Sequence, residues 1–295
     1  MLPLPRRPTD EIDLADWCEL NALMARDRSF SFGDLERALN RAAVFRDQED
    51  LEQKMSEVSF EIEARALAAG EGYAFTFDGY IVEVRGDEDS YYPYVFCLCL
   101  SYFGWEQPAG ATVYPARMFE WLSSLAARRF LQGEAIRFAA PREGDVPAAF
   151  RDAVGHICQR IGEGIGLQQT GEPVGQDDTL DIVAWRDFPD GLPGKLLLFG
   201  QCAAGGNWQE KISDLQPRDF CDAWMQQTPS STLLKALFIP HRVESEKWRL
   251  RTIKAKLIFD RCRIAYLAHG PDQALNPGSY TQWCRTKLEG AELAQ

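Results

Sequence analysis

Long apolar runs are missing from this chain, and so is the pattern of a secretory signal. The longest apolar stretch, residues 91–103, is about half of the roughly 20 residues that a membrane-spanning helix needs, and Pro93 and Ser101 interrupt it. The arginines near the start, Arg6 and Arg7, are not followed by the apolar core that a signal peptide has. We therefore expect a cytoplasmic protein that makes no contact with a membrane.

Motifs of several enzyme and metal-binding classes are also missing. No serine lies in a nucleophile elbow, and no Lys-Ser or Lys-Thr follows the glycine pair at 205–206, which excludes a P-loop. The cysteines are scattered, and Cys97 and Cys99 lack a partner pair at zinc-site spacing. Buried free thiols are therefore expected, and Cys202 has no evident histidine partner that would make it a nucleophile.

Basic residues are in deficit, because 32 Lys and Arg against 44 Asp and Glu give a net charge of −12. Residues 1–100 hold most of the excess, with 21 acidic and 10 basic side chains. Residues 235–263 have the opposite balance, nine basic against three acidic. An acidic first half repels a polyanion and the basic segment can hold one, although a solvated face of a mixed-charge strand pair explains the segment equally well.

The remaining composition is that of an ordinary globular protein, 45% apolar and 26% charged. A chain of 295 residues is long enough for two domains of about 150 residues each. Residues 138–149, FAAPREGDVPAA, break the neighbouring patterns with two prolines and a glycine. We therefore predict an N-terminal α+β module of unknown role over residues 1–142 and a second domain over residues 143–295.

The first half of the sequence predicts helices around one hairpin. Helix starts are indicated by capping residues and acidic first turns, and the hairpin by a period of two around Asp-Gly. The predicted elements are a helix over 9–25 capped by Thr9, a helix over 31–41 capped by Ser31, a helix over 48–69 closed by Gly70, a hairpin turning near Asp78-Gly79, a strand or buried helix over 91–105, and an amphipathic helix over 115–131.

The second half alternates between helical and strand patterns, which predicts an α/β core with helices packed on a mixed sheet. The predicted elements are a helix over 147–164, strands over 180–185 and 195–203, helices over 207–215 and 217–227, and strands over 233–240 and 256–267.

Polar residues at two neighbouring strand ends are the strongest chemical signal. Asp181 opens the first of these strands, Asp178 precedes it in the turn, and Gln201 ends the second strand. Two oxygen ligands on adjacent strand ends suit Mg²⁺ or Mn²⁺, which can then bridge protein and phosphate. Lys211, in the segment that follows, can position the attacking water and stabilise the phosphate in the transition state.

This arrangement resembles the restriction-endonuclease-like, or PD-(D/E)xK, nuclease superfamily over residues 147–270, and its Mrr-like branches in which glutamine takes the second acidic position. Those branches usually read Gln-x-Lys, whereas this chain reads Gln201-Cys202-Ala203. The resemblance implies a lysine that has migrated to the following helix, which Lys211 matches, and a supporting acidic residue on the preceding helix, which Glu163 matches. It also implies a mixed sheet flanked by helices and Mg²⁺-dependent DNA cleavage, often within restriction or phage-defence systems.

Contacts with substrate and partners are predicted from charge. The basic stretch would grip the DNA backbone through the side chains His241, Arg242, Lys247, Arg249 and Arg251. The acidic first half would dock onto other protein subunits of a defence complex.

Other interpretations of the same residues remain open. Asp177 and Asp178 can cap a turn, Gln201 and Glu163 can be structural hydrogen-bonding groups, and Lys211 can be a surface lysine. Ala203 in the usual lysine position fits a catalytically degenerate nuclease fold that acts as a scaffold. A nuclease of RNA or of single strands would have the same site as a DNA endonuclease.

Overall fold

The computed structural model describes residues 1–86, 89–106, 113–164, 178–272 and 275–293. It is mixed α/β and divides into two compact units. Unit 1 consists of Met1–Gly104 with Arg261–Gln295, and unit 2 of Trp105–Asp260. The predicted boundary near residue 142 falls inside unit 2. Within the described ranges, no helix has the length and apolarity needed to cross a membrane.

The helices and strands are numbered in chain order. The helices are α1 (Glu11–Met24), α2 (Phe32–Arg41), α3 (Gln48–Ala69), α4 (Tyr92–Phe103), α5 (Pro115–Leu131), α6 (Phe150–Ile161), α7 (Pro217–Trp224), α8 (Ser245–Ala255), α9 (Arg261–Ala268) and α10 (Pro277–Leu293). The strands are β1 (Ser29–Ser31), β2 (Phe75–Phe77), β3 (Ile81–Val84), β4 (Glu134–Arg137), β5 (Ile182–Arg186), β6 (Leu196–Cys202), β7 (Thr232–Phe238) and β8 (Leu257–Phe259).

Capping explains where the first helices of unit 1 begin. Ser31 Oγ accepts from Asp34 N and starts α2, as predicted. The cap of α1 is Asp10 and not Thr9, because the Asp10 carboxylate accepts from Ile12 N and Asp13 N. A carboxylate at this position also interacts favourably with the positive end of the helix dipole.

The small sheet of unit 1 has the order β1-β3-β2, with antiparallel pairing throughout. The predicted hairpin is confirmed as β2 and β3. Its turn is closed by Asp78, whose Oδ1 accepts from Tyr80 N at 2.9 Å and from Ile81 N at 2.8 Å. Gly79 has φ +95°, a backbone conformation that favours glycine.

The structure decides one prediction that the sequence left open and shows that another is wrong. Residues 91–105, which the sequence left as a strand or a buried helix, contain the helix α4, and Tyr92 to Leu100 are all buried. The strand predicted over residues 256–267 is wrong after β8, because α9 begins at Arg261. The buried residues of α9 include Arg261, Ile264, Ala265 and Ala268, which follow helical spacing.

Unit 1 buries a network of charged side chains, which we call the charge network: Asp16, Glu19, Glu61, Arg65 and Arg261. Arg65 is fully buried and lies at its centre. Its guanidinium contacts Asp16 Oδ1 at 2.8 Å, Glu19 Oε2 at 3.0 Å and Glu61 Oε1 at 2.7 Å. These contacts join α1 to α3.

Two tyrosines and a second arginine extend the charge network. Tyr73 and Tyr94 each donate to Glu19 Oε1, at 2.7 and 2.9 Å. Arg261 Nη2 lies 2.5 Å from Asp16 Oδ1. Burial raises the pKa of both tyrosines, and the Glu19 carboxylate raises it further, so both hydroxyls remain protonated donors.

Unit 2 is built on a five-stranded mixed sheet in the order β4-β5-β6-β7-β8. Strands β4, β5 and β6 pair antiparallel, and β6, β7 and β8 pair parallel. Because β4 pairs with β5 across residues 138–149, both α5 and β4 belong to the same unit as the rest of the sheet. The two prolines in that segment therefore interrupt a domain and do not separate two.

Helices cover both faces of this sheet. Val183, Trp185, Leu197 and Phe199 point to one face and form a core cluster with α6 and α7. Ala184 and Leu198 point to the other face and are also fully buried. Helix α5 contacts β4, β5 and β6 and contributes no residue to that cluster, so α5 covers the second face. The sheet therefore lies between layers of helix, as expected.

One predicted helix of unit 2 is not observed, and one alternative explanation of the basic stretch is wrong. Over residues 207–215 the only helical element is a short 3-10 turn, Glu210–Ser213, although Trp208, Ile212 and Leu215 are buried at the i, i+4, i+7 spacing of an α-helix. The basic stretch is not a strand pair. Most of its exposed cations belong to helix α8 or directly follow it, while Lys235 and Arg261 are buried.

Candidate functional site

Strands β5 and β6 place Asp181 and Gln201 opposite each other. The paired residues include Ile182 with Gly200, and Asp181 N donates to Gly200 O at 2.9 Å, so the next pair outward is Asp181 with Gln201. Residues directly opposite on antiparallel strands share a face, with Cβ atoms about 4.5–5.5 Å apart. The structure therefore brings together the two predicted metal ligands.

Backbone groups hold Asp181 in place. Its Oδ2 accepts from the backbone N of Cys202 at 2.6 Å. Its backbone carbonyl accepts from Phe138 N at 2.7 Å and from Ala139 N at 3.1 Å. These backbone contacts fix the position of the Asp181 carboxylate at the end of the two strands.

Gln201 carries an unsatisfied oxygen. The residue is only 5% exposed, and its Oε1 is buried without a hydrogen-bond partner in the described part of the chain. A buried acceptor left unpaired costs about 1–3 kcal/mol, and such atoms are rare in folded proteins. A bound cation or a ligand donor would satisfy this oxygen.

A glycine sets the packing beside Gln201. A Cβ at Gly200 would lie 2.7 Å from the ring of Phe238 and 3.4 Å from Cβ of Ile182. The Phe238 ring stacks on Phe259, with centroids 4.5 Å apart, and so has little freedom to move. Gly200 therefore leaves room for the Phe238 ring at the end of the sheet that carries the site.

The surroundings of Cys202 disfavour a nucleophilic thiolate. Burial raises the pKa of its thiol well above the ordinary value, and the charges of Asp181 and Glu120 raise it further. The thiol is therefore protonated at neutral pH, whereas nucleophilic cysteines are thiolates.

Asp178 is engaged by a neighbouring helix. Its Oδ2 accepts from Trp224 Nε1, at the end of α7, at 2.6 Å. Its φ of +49° is one that aspartate tolerates better than most residues. This contact explains Asp178 as an anchor of the turn before β5, and its role as auxiliary ligand stays a prediction. Asp177 lies outside the described residues.

Glu163 does not join the site, contrary to the prediction. Its Oε2 accepts from the backbone N of Ser230 and of Ser231, both at 3.0 Å, and the two serine hydroxyls also bond its carboxylate. Thr232, the next residue, pairs with Leu196 at the start of β6. Five residues of strand, about 16 Å, separate that level from Gln201. Glu163 therefore stabilises the loop before β7 at the opposite end of the sheet.

Lys211 lies in the 3-10 turn Glu210–Ser213 and is half-buried. Among the described residues, no hydrogen bond or ion pair involves its ammonium group, whereas Lys235 donates to the carbonyl of Ile212 at 2.7 Å. Burial lowers the pKa of Lys235. Ala203, in the usual lysine position, is fully buried in a core cluster. Lys211 therefore follows Gln201 in the chain as a lysine whose ammonium group has no ion-pair partner among the described residues. Its catalytic role stays a prediction.

The chain beyond β7 lies at the same edge of the sheet. Ala203 N donates to Phe238 O, and three residues later His241 Nε2 lies 3.2 Å from the carbonyl oxygen of Gly205. Because a carbonyl only accepts, His241 Nε2 carries the hydrogen of this bond. His241 therefore holds the loop that follows Gln201.

Arg242 is part of a buried ion pair. Its guanidinium bonds Asp260, whose side chain is 1% exposed, so its main role in the structure is to join the ends of β7 and β8. Sequence reasoning missed Asp260. An acidic residue directly after the apolar run of β8 is the signal that could have identified it, by the same logic that selected Asp181.

The other predicted phosphate-binding residues lie on α8. Lys247 pairs with Glu244 at 2.8 Å, the guanidinium of Arg251 lies 5.5 Å from the ring centroid of Trp208, and Arg249 is exposed. No contact in the described structure joins these three side chains to Asp181 or Gln201. Phosphate binding by these residues stays a prediction.

The donor set fits a hard cation. Among the described residues, no group of three or more His, Cys, Asp and Glu has the geometry of a metal site. Asp181 and Gln201 instead offer one carboxylate and one amide oxygen. Mg²⁺ is commonly held by one or two carboxylates with water and substrate phosphate completing its shell, so this pair is compatible with it.

Comparisons with protein-family models, with curated proteins and with solved structures find no match to this chain. The function is therefore inferred from the residues of the site.

Proposed function

We propose that unit 2 is a restriction-endonuclease-like domain that hydrolyses phosphodiester bonds of DNA with Mg²⁺ or Mn²⁺. The support is its mixed sheet with helices on both faces, together with Asp181 and Gln201 at one end of two adjacent strands. In this proposal the protein is a component of a restriction or anti-phage defence system, and its partners are other protein subunits.

One observation carries the proposal: the buried, unpartnered Oε1 of Gln201 on the strand opposite Asp181. Most buried side-chain oxygens of structural residues accept from a backbone or side-chain donor. An oxygen kept unpaired beside a carboxylate is what a cation site has before the cation binds. The resemblance to nucleases with glutamine in this position agrees with that interpretation.

The roles of the residues follow from their contacts. Asp181, oriented by Cys202 N–H, and Gln201 would hold the metal. When bound, Mg²⁺ would polarise the phosphate and lower the pKa of a water molecule. Lys211 would stabilise negative charge that develops on the phosphate. His241 would keep the loop over residues 203–206 in place beside the substrate.

A second candidate is a catalytically degenerate nuclease fold that binds nucleic acid or protein as a scaffold. Ala203, fully buried where a lysine is usual, favours it, since no cation occupies that position. The two candidates differ in whether metal binding leads to cleavage.

The test is incubation of the full chain with supercoiled plasmid and with linear DNA, in Mg²⁺ or Mn²⁺ and in EDTA. Asp181→Ala should abolish metal-dependent nicking, and Lys211→Ala should lower the rate by about 100-fold or more. Gln201→Glu should keep activity, because it restores the acidic ligand. Glu210→Gln, an exposed neighbour of Lys211, is the matched control and should cleave normally.

Calorimetric titration with Mg²⁺ separates the candidates when DNA is not cleaved. If the wild-type chain binds the metal without cleaving DNA, and Asp181→Ala no longer binds it, the degenerate scaffold is supported. Binding that survives in Asp181→Ala would contradict the assigned ligand. Parallel digestion of single-stranded DNA and of RNA identifies the substrate class.

A further inference from the structure

Helix α8 exposes two aliphatic side chains at the centre of its outer face. Leu250 is 60% exposed and Ile253 is 58% exposed. The opposite face packs inward, where Ala255 is buried and Trp248 contacts the same core cluster as Ala203. Leu and Ile three residues apart lie side by side on a helix, so they form one apolar stripe.

Cations flank this stripe on both sides. With Leu250 as position a and Ile253 as position d of a heptad, Lys247 and Lys254 take e positions. Arg249 takes a g position, and Lys256, the C-cap residue, adds a further cation at the C-terminal end of the helix. We call these six residues the α8 face. Among the described residues, Arg249, Lys254 and Lys256 form no ion pair, and Lys247 pairs only within its own turn, with Glu244.

We propose that the α8 face is a docking site for an acidic amphipathic helix of a partner protein. In paired helices, a and d side chains interdigitate, while charges at e and g select the partner. Cations at all these positions require acidic residues on the partner. This inference is independent of cleavage, and it assigns Lys247 and Arg249 to a protein partner instead of to the DNA backbone.

The arrangement distinguishes this partner from two others. A helix that grips DNA presents cations towards the phosphates, whereas here the aliphatic pair occupies the centre and would gain nothing against a phosphate. A second copy of α8 is excluded, because its cations would meet cations across the interface, which is unfavourable. The acidic helix is the partner that buries Leu250 and Ile253 and also neutralises their flanks.

The test uses two synthetic helical peptides, both with leucine at a and d, one with Glu and one with Lys at e and g. Fluorescence anisotropy with the full chain should show binding of the Glu peptide only. The double variant Leu250→Ser/Ile253→Ser should weaken it by roughly tenfold or more. Leu192→Ser, at a leucine that is also 60% exposed, is the matched control and should bind normally.

A charge-reversal variant distinguishes a loss of binding from a loss of folding. Arg249→Glu/Lys254→Glu should lose the Glu peptide and gain the Lys peptide, which an unfolded protein would not do. The proposal is overturned if the Glu peptide does not bind, or if the serine variant binds it normally. It is also overturned if the α8 face binds duplex DNA or anionic lipid vesicles in preference to the Glu peptide.

Discussion

One buried polar cluster in each unit shows how differently polar atoms can be buried. In unit 1 the guanidinium of Arg65 contacts the carboxylates of Asp16, Glu19 and Glu61, and Glu19 also accepts from two tyrosines. In unit 2 the buried Oε1 of Gln201 has no partner among the described residues. The carboxylates that surround Arg65 all have partners, whereas an unsatisfied oxygen beside a carboxylate indicates a place for a ligand. The comparison thus separates structural burial from functional burial.

The charge network gives unit 1 its arrangement of helices. Its members come from α1, α3 and α9, and Tyr94 adds α4. Removing one partner from such a network leaves the other charges buried and unpaired, which strongly destabilises the fold. This loss is larger than the net stability that a buried ion pair gives compared with apolar residues of the same size. The network therefore makes alternative packings of these helices unfavourable.

The largest expected effect is on unit 1. Arg65→Ala leaves three buried carboxylates without their shared partner, and should lower the free energy of unfolding by about 3–5 kcal/mol. Urea unfolding followed by circular dichroism measures it. Arg37→Ala is the control, because the Arg37 side chain is 69% exposed in its pair with Asp34, and should change stability by less than about 1 kcal/mol. Equal effects of the two substitutions would contradict a structural role for the charge network.

A smaller effect is expected from acid. Burial raises the pKa of Asp16, but Arg261 and Arg65 lower it by more, so its pKa in the folded chain is below the ordinary value. Stability from such a group is present above the unfolded-state pKa and is lost as the pH falls through the folded-state pKa.

The melting temperature should therefore fall steeply below about pH 4. In Asp16→Asn the fall should be shallower, although the variant is less stable at pH 7. If the melting temperatures of the wild type and of the variant decrease in parallel between pH 5 and pH 2, Asp16 does not contribute to acid sensitivity.

Sequence patterns predicted most of the helices and the strand ends of the site. Helix α3 begins at Gln48 and ends at Ala69 as predicted, because an Asp cap and a glycine mark its ends. Asp181 and Gln201 were found together because carboxylate and amide at successive strand ends are visible in sequence. They lie close together because β5 and β6 are neighbours along the chain and pair antiparallel; their role as metal ligands stays a prediction.

Contacts between residues that are far apart in the chain could not be predicted from the sequence patterns. Glu163 follows a helix, as a supporting acid would, but its partners Ser230 and Ser231 are distant in the chain, and only the sheet register places them at the opposite end. The charge network was missed for the same reason. Asp16 and Glu19 look like exposed residues of an amphipathic helix, until Arg65 of another helix is packed against them.

The smallest expected change in stability is at Gln201, and it tests the comparison most directly. Gln201→Leu removes a buried acceptor that has no donor, so it should leave the free energy of unfolding within about 1 kcal/mol of wild type, or raise it. Wild type should gain about 1.4 kcal/mol when Mg²⁺ is tenfold above its Kd, and Gln201→Leu should gain nothing. Thermal unfolding with and without Mg²⁺ measures both effects. A large loss of stability without metal would instead make Gln201 a structural residue like Arg65, and the distinction between the two units would fail.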